Sequence, residues 1–236
     1  MTMITIDEPT TGATPNLQAY VSRPDGDGPW PGVVMVHEAL GLDDAARQHA
    51  DHLAELGYLV IAPDLYTGGS PRTCLRRTMG ELRSGTGSSF ANIAAARDWV
   101  RNQPDSTAKI GVIGFCMGGG FALMVATDFD VSSVNYGRVP DEEVLAGACP
   151  IVGSYGRRDL TLAGASQKLA EILVRHDIEF DIKEYPNAGH AFLNAEAPKL
   201  PWFLGPLRRV MNVGPDPKAA TDAWMRIDAF FGRFLR

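Results

Sequence analysis

The 236-residue sequence predicts an α/β protein, a mostly parallel central sheet with helices on both faces. Three observations predict it. Short apolar runs alternate with amphipathic stretches of helical period from residue 16 to the end of the chain. The runs, such as Gly32-Val33-Val34-Met35-Val36, are continuous, as in strands buried on both faces. With 45% hydrophobic and 21% charged residues, the chain has the apolar content for one sizeable core, read as a single domain over residues 1–236.

Taken in order, Leu17–Val21 alternates weakly and reads as an edge strand before the turn-forming Arg23–Pro29. Gly32–Val36 is a buried strand. Asp43 to Leu56 carries apolar residues at helical spacing, and Gly57 is placed to end that helix. Tyr58–Ala62 is a second buried strand. Thr67 to Ser89, rich in Gly, Ser, Arg and Thr, reads as a loop bordering a site, with a weak helical pattern over Arg72–Leu82. Phe90–Val100 reads as a helix and Lys109–Ile113 as a strand, followed by the glycine-rich turn Gly114–Gly120 and a helix to about Ala126. Further strands are expected at Ser132–Tyr136, Cys149–Tyr155 and Phe180–Tyr185, the last two separated by a helix over Thr161–Val174. Pro201 to Pro217 reads as loop or lid. Pro217 to Phe234 reads as a helix, because Ala223, Trp224, Ile227, Phe230, Phe231 and Phe234 share one face.

Charge and composition exclude several function classes. Lys and Arg number 22 against 28 Asp and Glu, a net −6 with no basic stripe, which argues against nucleic acid as a partner. Residues 1–7 lack the basic and apolar regions of a signal peptide, and no stretch of about 18 apolar residues exists to span a membrane. A cytoplasmic protein, monomer or homodimer, is expected. Cys74, Cys116 and Cys149 are an odd number at wide spacing, so a disulfide framework is not expected. No phosphate-loop ending, dinucleotide fingerprint or His-Glu-x-x-His pattern occurs, and neither cofactor nor metal is expected.

The motif that carries chemistry is Gly114-Phe115-Cys116-Met117-Gly118, a nucleophile-elbow pattern with cysteine in the serine position, between a strand and a helix. Such a turn is sharp and strained, and glycines on either side remove the Cβ atoms that would strike the neighbouring strand and helix. A helix beginning at Met117 aims free N–H groups and its positive end at the sulfur, which favours the thiolate. The bland alternative is a small buried hydrophobe in a phosphate-binding turn.

Partners are expected downstream in the order acid, then histidine. Asp159 follows the apolar run Ile151–Tyr155, and His190 follows Asp181–Tyr185, so both stand at the carboxyl ends of strands, where catalysis collects in parallel sheets. His190 would move the proton at sulfur and Asp159 would set its tautomer. Alternatively, Asp159 is a turn or helix-cap residue and His190 a loop histidine. His49 and His52 read as lying on a polar helix face, His176 at a helix end and His37 beside the first buried strand.

With these residues the chain resembles the dienelactone hydrolase family of the α/β-hydrolase fold. The resemblance rests on His37-Glu38-Ala39-Leu40-Gly41, Gly114–Gly119, Gly156-Arg157-Arg158-Asp159 and Ala188-Gly189-His190-Ala191-Phe192, spread over nearly the whole chain. It implies that Cys116 is the nucleophile of a Cys116–His190–Asp159 triad, that Glu38 contacts the resting thiol, and that the N–H groups of Ala39 and Met117 form an oxyanion hole. Glu38 could equally be a solvated loop residue. Dienelactone-cleaving members carry a Ser immediately after the triad His and an Arg four positions after it; here these are Ala191 and Asn194. A further family arginine falls among Arg72, Arg76 and Arg77, which would bind a substrate anion or simply be solvated. The expected activity is hydrolysis of a small-molecule ester or lactone through an acyl-enzyme, with neutral substrates preferred. An acyltransferase or peptidase on the same triad, and a non-catalytic binding protein or thiol sensor, are the alternatives.

Overall fold

The structure, a computed structural model, describes residues 1–7, 10–198 and 205–236. Eight strands form one sheet in the order β1-β2-β4-β3-β5-β6-β7-β8. They are β1 (Thr2–Ile6), β2 (Leu17–Ser22), β3 (Trp30–Val36), β4 (Leu59–Pro63), β5 (Ser106–Phe115), β6 (Val131–Asn135), β7 (Ile151–Gly156) and β8 (Phe180–Tyr185). β2 pairs antiparallel with β1 and β4, and the strands from β4 to β8 all pair in parallel. The sequence expectation of β2 as the edge strand is corrected, because Thr2–Ile6 covers it.

The continuous apolar runs divide between two cores by strand alternation. Val33 and Met35 of β3 pack with α1 (Asp44–Glu55) and α7 (Pro217–Leu235), while Val34 and Val36 face α3 (Ser88–Arg101) and α4 (Met117–Met124). α5 (Ala165–Arg175) covers the β7 end through Leu169, Ile172 and Leu173. Local chemistry sets the helix ends. Asp43 accepts a bond from the Ala46 N–H at the start of α1, and Asp216 does the same for Ala219 ahead of Pro217 in α7.

Two further expectations are corrected. The stretch Thr67–Ser89 is not a loop but largely α2 (Pro71–Ser84), capped by the Ser70 side chain and ended by Gly85 at φ +74°. Its helical pattern reads as weak because only Cys74 and Thr78 are buried, while Leu75, Met79 and Leu82 are partly buried, packing against the core and lining a cavity as well. In the stretch read as loop or lid, Gly205–Met211 forms α6; Pro206 sits in its first turn, where a missing N–H costs no hydrogen bond. Residues 201–204 of that stretch lie outside the described residues. The helix expected from Thr161 begins instead as a 3-10 turn at Leu160–Leu162, and α5 starts only after Gly164, at φ +77°.

Candidate active site

Five adjacent strand ends converge on one place. Glu38 follows β3, Cys116 ends β5, Tyr136 follows β6, Asp159 follows β7 and His190 follows β8. Cys116 sits at φ +54°, ψ −118°, a conformation that L side chains rarely adopt, with its N–H on the Asn135 carbonyl. The glycines make that turn possible. A Cβ on Gly114 would lie 1.9 Å from the Gly118 oxygen, and one on Gly118 would lie 2.1 Å from the Val36 oxygen. Helix α4 and strands β5 and β3 therefore meet backbone to backbone, leaving the half-buried Cys116 side chain at the cavity wall.

His190 Nδ1 lies 2.6 Å from Asp159 Oδ2. The other Asp159 oxygen accepts from the Thr161 N–H at 3.0 Å and the Thr161 hydroxyl at 2.5 Å, so this aspartate both caps the 3-10 turn and pairs with the histidine. The loop carrying His190 is held by the end of α6 and the segment after it: the His190 N–H bonds the Met211 carbonyl, and the His190 carbonyl accepts from Gly214. Burial pulls the His190 pKa down, but the Cys116 sulfur beside Nε2 and the Asp159 bond outweigh it and raise it to about 10. The imidazole is thus held between a carboxylate and the sulfur.

Ala39 and Met117 line the same cavity, and among the described residues neither backbone N–H donates a backbone hydrogen bond. Glu38 is also a cavity wall. Its Oε2 accepts from Asn194 Nδ2 at 3.3 Å, its Oε1 is buried without a partner, and no bond to the Cys116 sulfur is present among the described residues. Burial pushes the Glu38 carboxyl up, opposed by His190 and by the Asn194 and Tyr136 side chains.

Asn194 is not in the cavity lining; it is buried beneath Glu38, with its Oδ1 2.8 Å from His49 Nε2. This corrects the reading of His49 as a residue of a polar face. Its ring is 6% exposed and stacked on Phe115 at 4.3 Å. Burial lowers its pKa to about 4, although the Asn194 bond acts the other way. An unfolded histidine titrates near 6.5, so between about pH 6.5 and 4 the unfolded chain binds a proton that the native chain refuses. Stability therefore falls as pH falls through that window, by on the order of 2–3 kcal/mol at pH 4.5 from this group. Urea denaturation of wild type and His49→Gln at pH 7 and 4.5 checks this. The variant is expected to lose about that much less on acidification, and equal losses would contradict it.

The cavity has a volume of about 850 Å³. Its walls are mainly apolar, from α2, Met124, Val139 and α6, and Ala191 lies in the wall beside His190. Of the arginines expected to face a substrate, Arg72 and Arg76 are exposed on α2, and Arg77 bonds the Leu65 carbonyl and lies near Glu81. None of the three is among the described lining residues; the cations that do line the cavity are Arg83, Arg138 and Lys168, all exposed. The structure thus brings Cys116, Asp159, His190, Glu38, Ala39 and Met117 together and leaves the three arginines apart. Thr161, Tyr136 and His49 were not singled out as site residues by the sequence, and Asn194 only as the residue standing where the family arginine would be, not for its contact with Glu38. An Asp-x-Thr turn is a local signal for Thr161. The other three have none, because their contacts join residues up to 145 positions apart.

A parallel sheet with a strained elbow after one strand, and an acid and a histidine after two later ones, is the α/β-hydrolase fold. The family model of the dienelactone hydrolase family matches residues 17–235, and the chain belongs to that family. It is a hydrolase of the ester and lactone class. Among similar proteins, the carboxymethylenebutenolidase of Rhodococcus opacus is 28% identical over 96% of this chain and 89% of its own. That of Pseudomonas putida is 28% identical over 74% and 79%. The solved dienelactone hydrolase of Anabaena variabilis covers all of both chains at 20% identity and a TM-score of 0.70. A dienelactone hydrolase-like promiscuous phosphotriesterase from metagenomic libraries does so at 21% and 0.78. Likeness at such identities is one of fold. No helix among the described residues is long and apolar enough to cross a membrane.

Proposed function

We propose that this protein hydrolyses a neutral ester or lactone through a Cys116–His190–Asp159 triad and a thioester acyl-enzyme. The observation that carries the reading is His190, whose Nδ1 is fixed by Asp159 at 2.6 Å while its buried Nε2 is left without a hydrogen-bond partner in the cavity that Cys116 also lines. The sulfur attacks the carbonyl carbon, and the developing oxyanion is received by the free N–H groups of Ala39 and Met117. Collapse breaks the C–O bond, and His190 Nε2 gives its proton to the departing alkoxide. The neutral imidazole then takes a proton from water, whose oxygen attacks the thioester carbonyl. The C–S bond breaks, and the thiolate and imidazolium are restored. Glu38, on the same wall, is the second acid–base group and governs ionisation of the thiol.

Cys74 is buried against the Tyr66 carbonyl, and burial pushes the Cys149 thiol up to about 12, which leaves Cys116 as the reactive sulfur. Three unpaired thiols and a net charge of −6 accord with a cytoplasmic enzyme. Intact-mass measurement after brief exposure to p-nitrophenyl esters and lactones tests the mechanism. An acyl adduct on Cys116 with a burst of p-nitrophenol is expected; turnover without any adduct in rapid-quench samples would argue for direct attack by water.

Specificity follows from the wall around the sulfur. Glu38 is an acid there, Ala191 offers no hydroxyl, and the lining cations are exposed side chains. A carboxylate beside the scissile bond would be desolvated without a charged partner. One missing charge-assisted hydrogen bond is worth roughly 1.5–3 kcal/mol, or about 10- to 150-fold. The methyl ester of a carboxylate-bearing lactone is therefore expected to exceed the free acid in kcat/KM by about tenfold or more. Arg83→Gln/Arg138→Gln is expected to leave that ratio within about threefold, since exposed pairs contribute little. A tenfold preference for the acid would overturn the argument.

A further inference from the structure

We infer that Asn194, oriented by His49, is a positioning residue for Glu38, and that together they decide which carboxylate oxygen remains free to exchange a proton in the cavity. The inference rests on the reading of Glu38 as an acid–base group.

The geometry runs inward from α1. His49 is held in plane by Phe115, at 4.3 Å between ring centroids and 14° between planes, and is flanked by Trp224 at 5.6 Å. Burial keeps the ring neutral, so Nε2 can carry a hydrogen and donate it to Asn194 Oδ1 at 2.8 Å. An amide has one acceptor oxygen and one donor nitrogen in fixed geometry. Once Oδ1 is committed to His49, with the Tyr136 hydroxyl 3.5 Å away on the same oxygen, Nδ2 is turned to Glu38 Oε2 at 3.3 Å. Glu38 Oε1 is then the buried oxygen left without a partner. A lone buried carboxylate oxygen is costly, which suits a site where it takes and releases a proton. The groups acting on Glu38 are His190 from the loop after β8, Asn194, Tyr136 after β6 and Asp43 before α1, with neither lysine nor arginine among them. The Asn194 N–H is therefore a main support of the ionised form.

The test is the pH dependence of Cys116 alkylation by iodoacetamide, read with kcat against pH. It uses wild type, Asn194→Asp, His49→Leu and His49→Gln, each with and without Glu38→Gln. Loss of a hydrogen bond to a charged group corresponds to roughly ten- to hundredfold in a protonation equilibrium. The limb that Glu38→Gln removes is thus expected to move up by about one to two pH units in Asn194→Asp. His49→Leu is expected to move it the same way, and His49→Gln, which keeps an N–H close to the Nε2 position, to restore most of the wild-type profile. In the Glu38→Gln background none of these changes is expected to shift anything. A purely structural role would lower thermal stability in both backgrounds alike. Profiles of Asn194→Asp and His49→Leu that superimpose on wild type, while Glu38→Gln alters it, would overturn the positioning role alone. A Glu38→Gln profile identical to wild type would overturn the acid–base reading of Glu38 and the positioning with it, leaving the triad test untouched.

Discussion

Cys116→Ala is expected to lose at least about four orders of magnitude in kcat, with His190→Gln close behind, because members of such a unit do not contribute additively. Asp159→Asn is expected to fall by a comparable factor for a reason visible in the structure. Thr161 aims two donors, its N–H and its hydroxyl, at one Asp159 oxygen. An asparagine would keep its carbonyl there and turn its NH₂ toward His190 Nδ1. The histidine would then hold its hydrogen on Nε2 and could not take a proton at sulfur. Thr161→Val, which removes one donor, is expected to soften the Asp159→Asn defect. The measurement is steady-state turnover of a p-nitrophenyl ester with circular dichroism as the fold control. Near-normal turnover in any of the three single variants would remove that residue from the mechanism.

Gly118→Ala is expected to damage both stability and activity. Its Cβ would stand 2.1 Å from the Val36 carbonyl oxygen, and neither partner is a side chain that can turn away. Helix α4 has to move off β3, and overpacking of this kind costs roughly 1–3 kcal/mol, or about 2–12 °C in melting temperature for a chain of this length. Cys116 moves with the helix. A shift of about 1 Å in a reacting group costs roughly a hundredfold in rate. Gly80→Ala is the control: no atom lies within 4 Å of its added Cβ on exposed helix α2, and a gain of about 0.5–1 kcal/mol is expected. Calorimetry and ester hydrolysis on both variants decide the matter. A Gly118→Ala enzyme with wild-type melting and turnover would mean that the elbow does not need the close approach.

Much of the molecule was legible in its residues. Phe180–Tyr185 emerged with the boundaries expected, and Pro217–Phe234 within one residue, since an alternating run and a two-faced helix carry their period with them. The elbow was legible because the requirement for glycine is local: Gly114 and Gly118 are four positions apart on one turn. Asp159 and His190 could be found by their order after apolar strands. α2 was less legible, because its apolar side lines a cavity and its polar side carries Arg72 and Arg76 to solvent.

The sequence by itself determined the α/β class, the strained cysteine turn and the chain order of Cys116, Asp159 and His190 after their strands. Each depends on neighbouring residues along the chain, whose sterics and periodicity act at short range. The tertiary structure decided which cations reach the cavity, that His49 is buried, and that Asn194 supports Glu38 instead of facing substrate. Those outcomes depend on how α1 packs against the loop after β8. The link runs across 145 residues, and its hydrogen-bond directions exist only once the sheet has placed both sides.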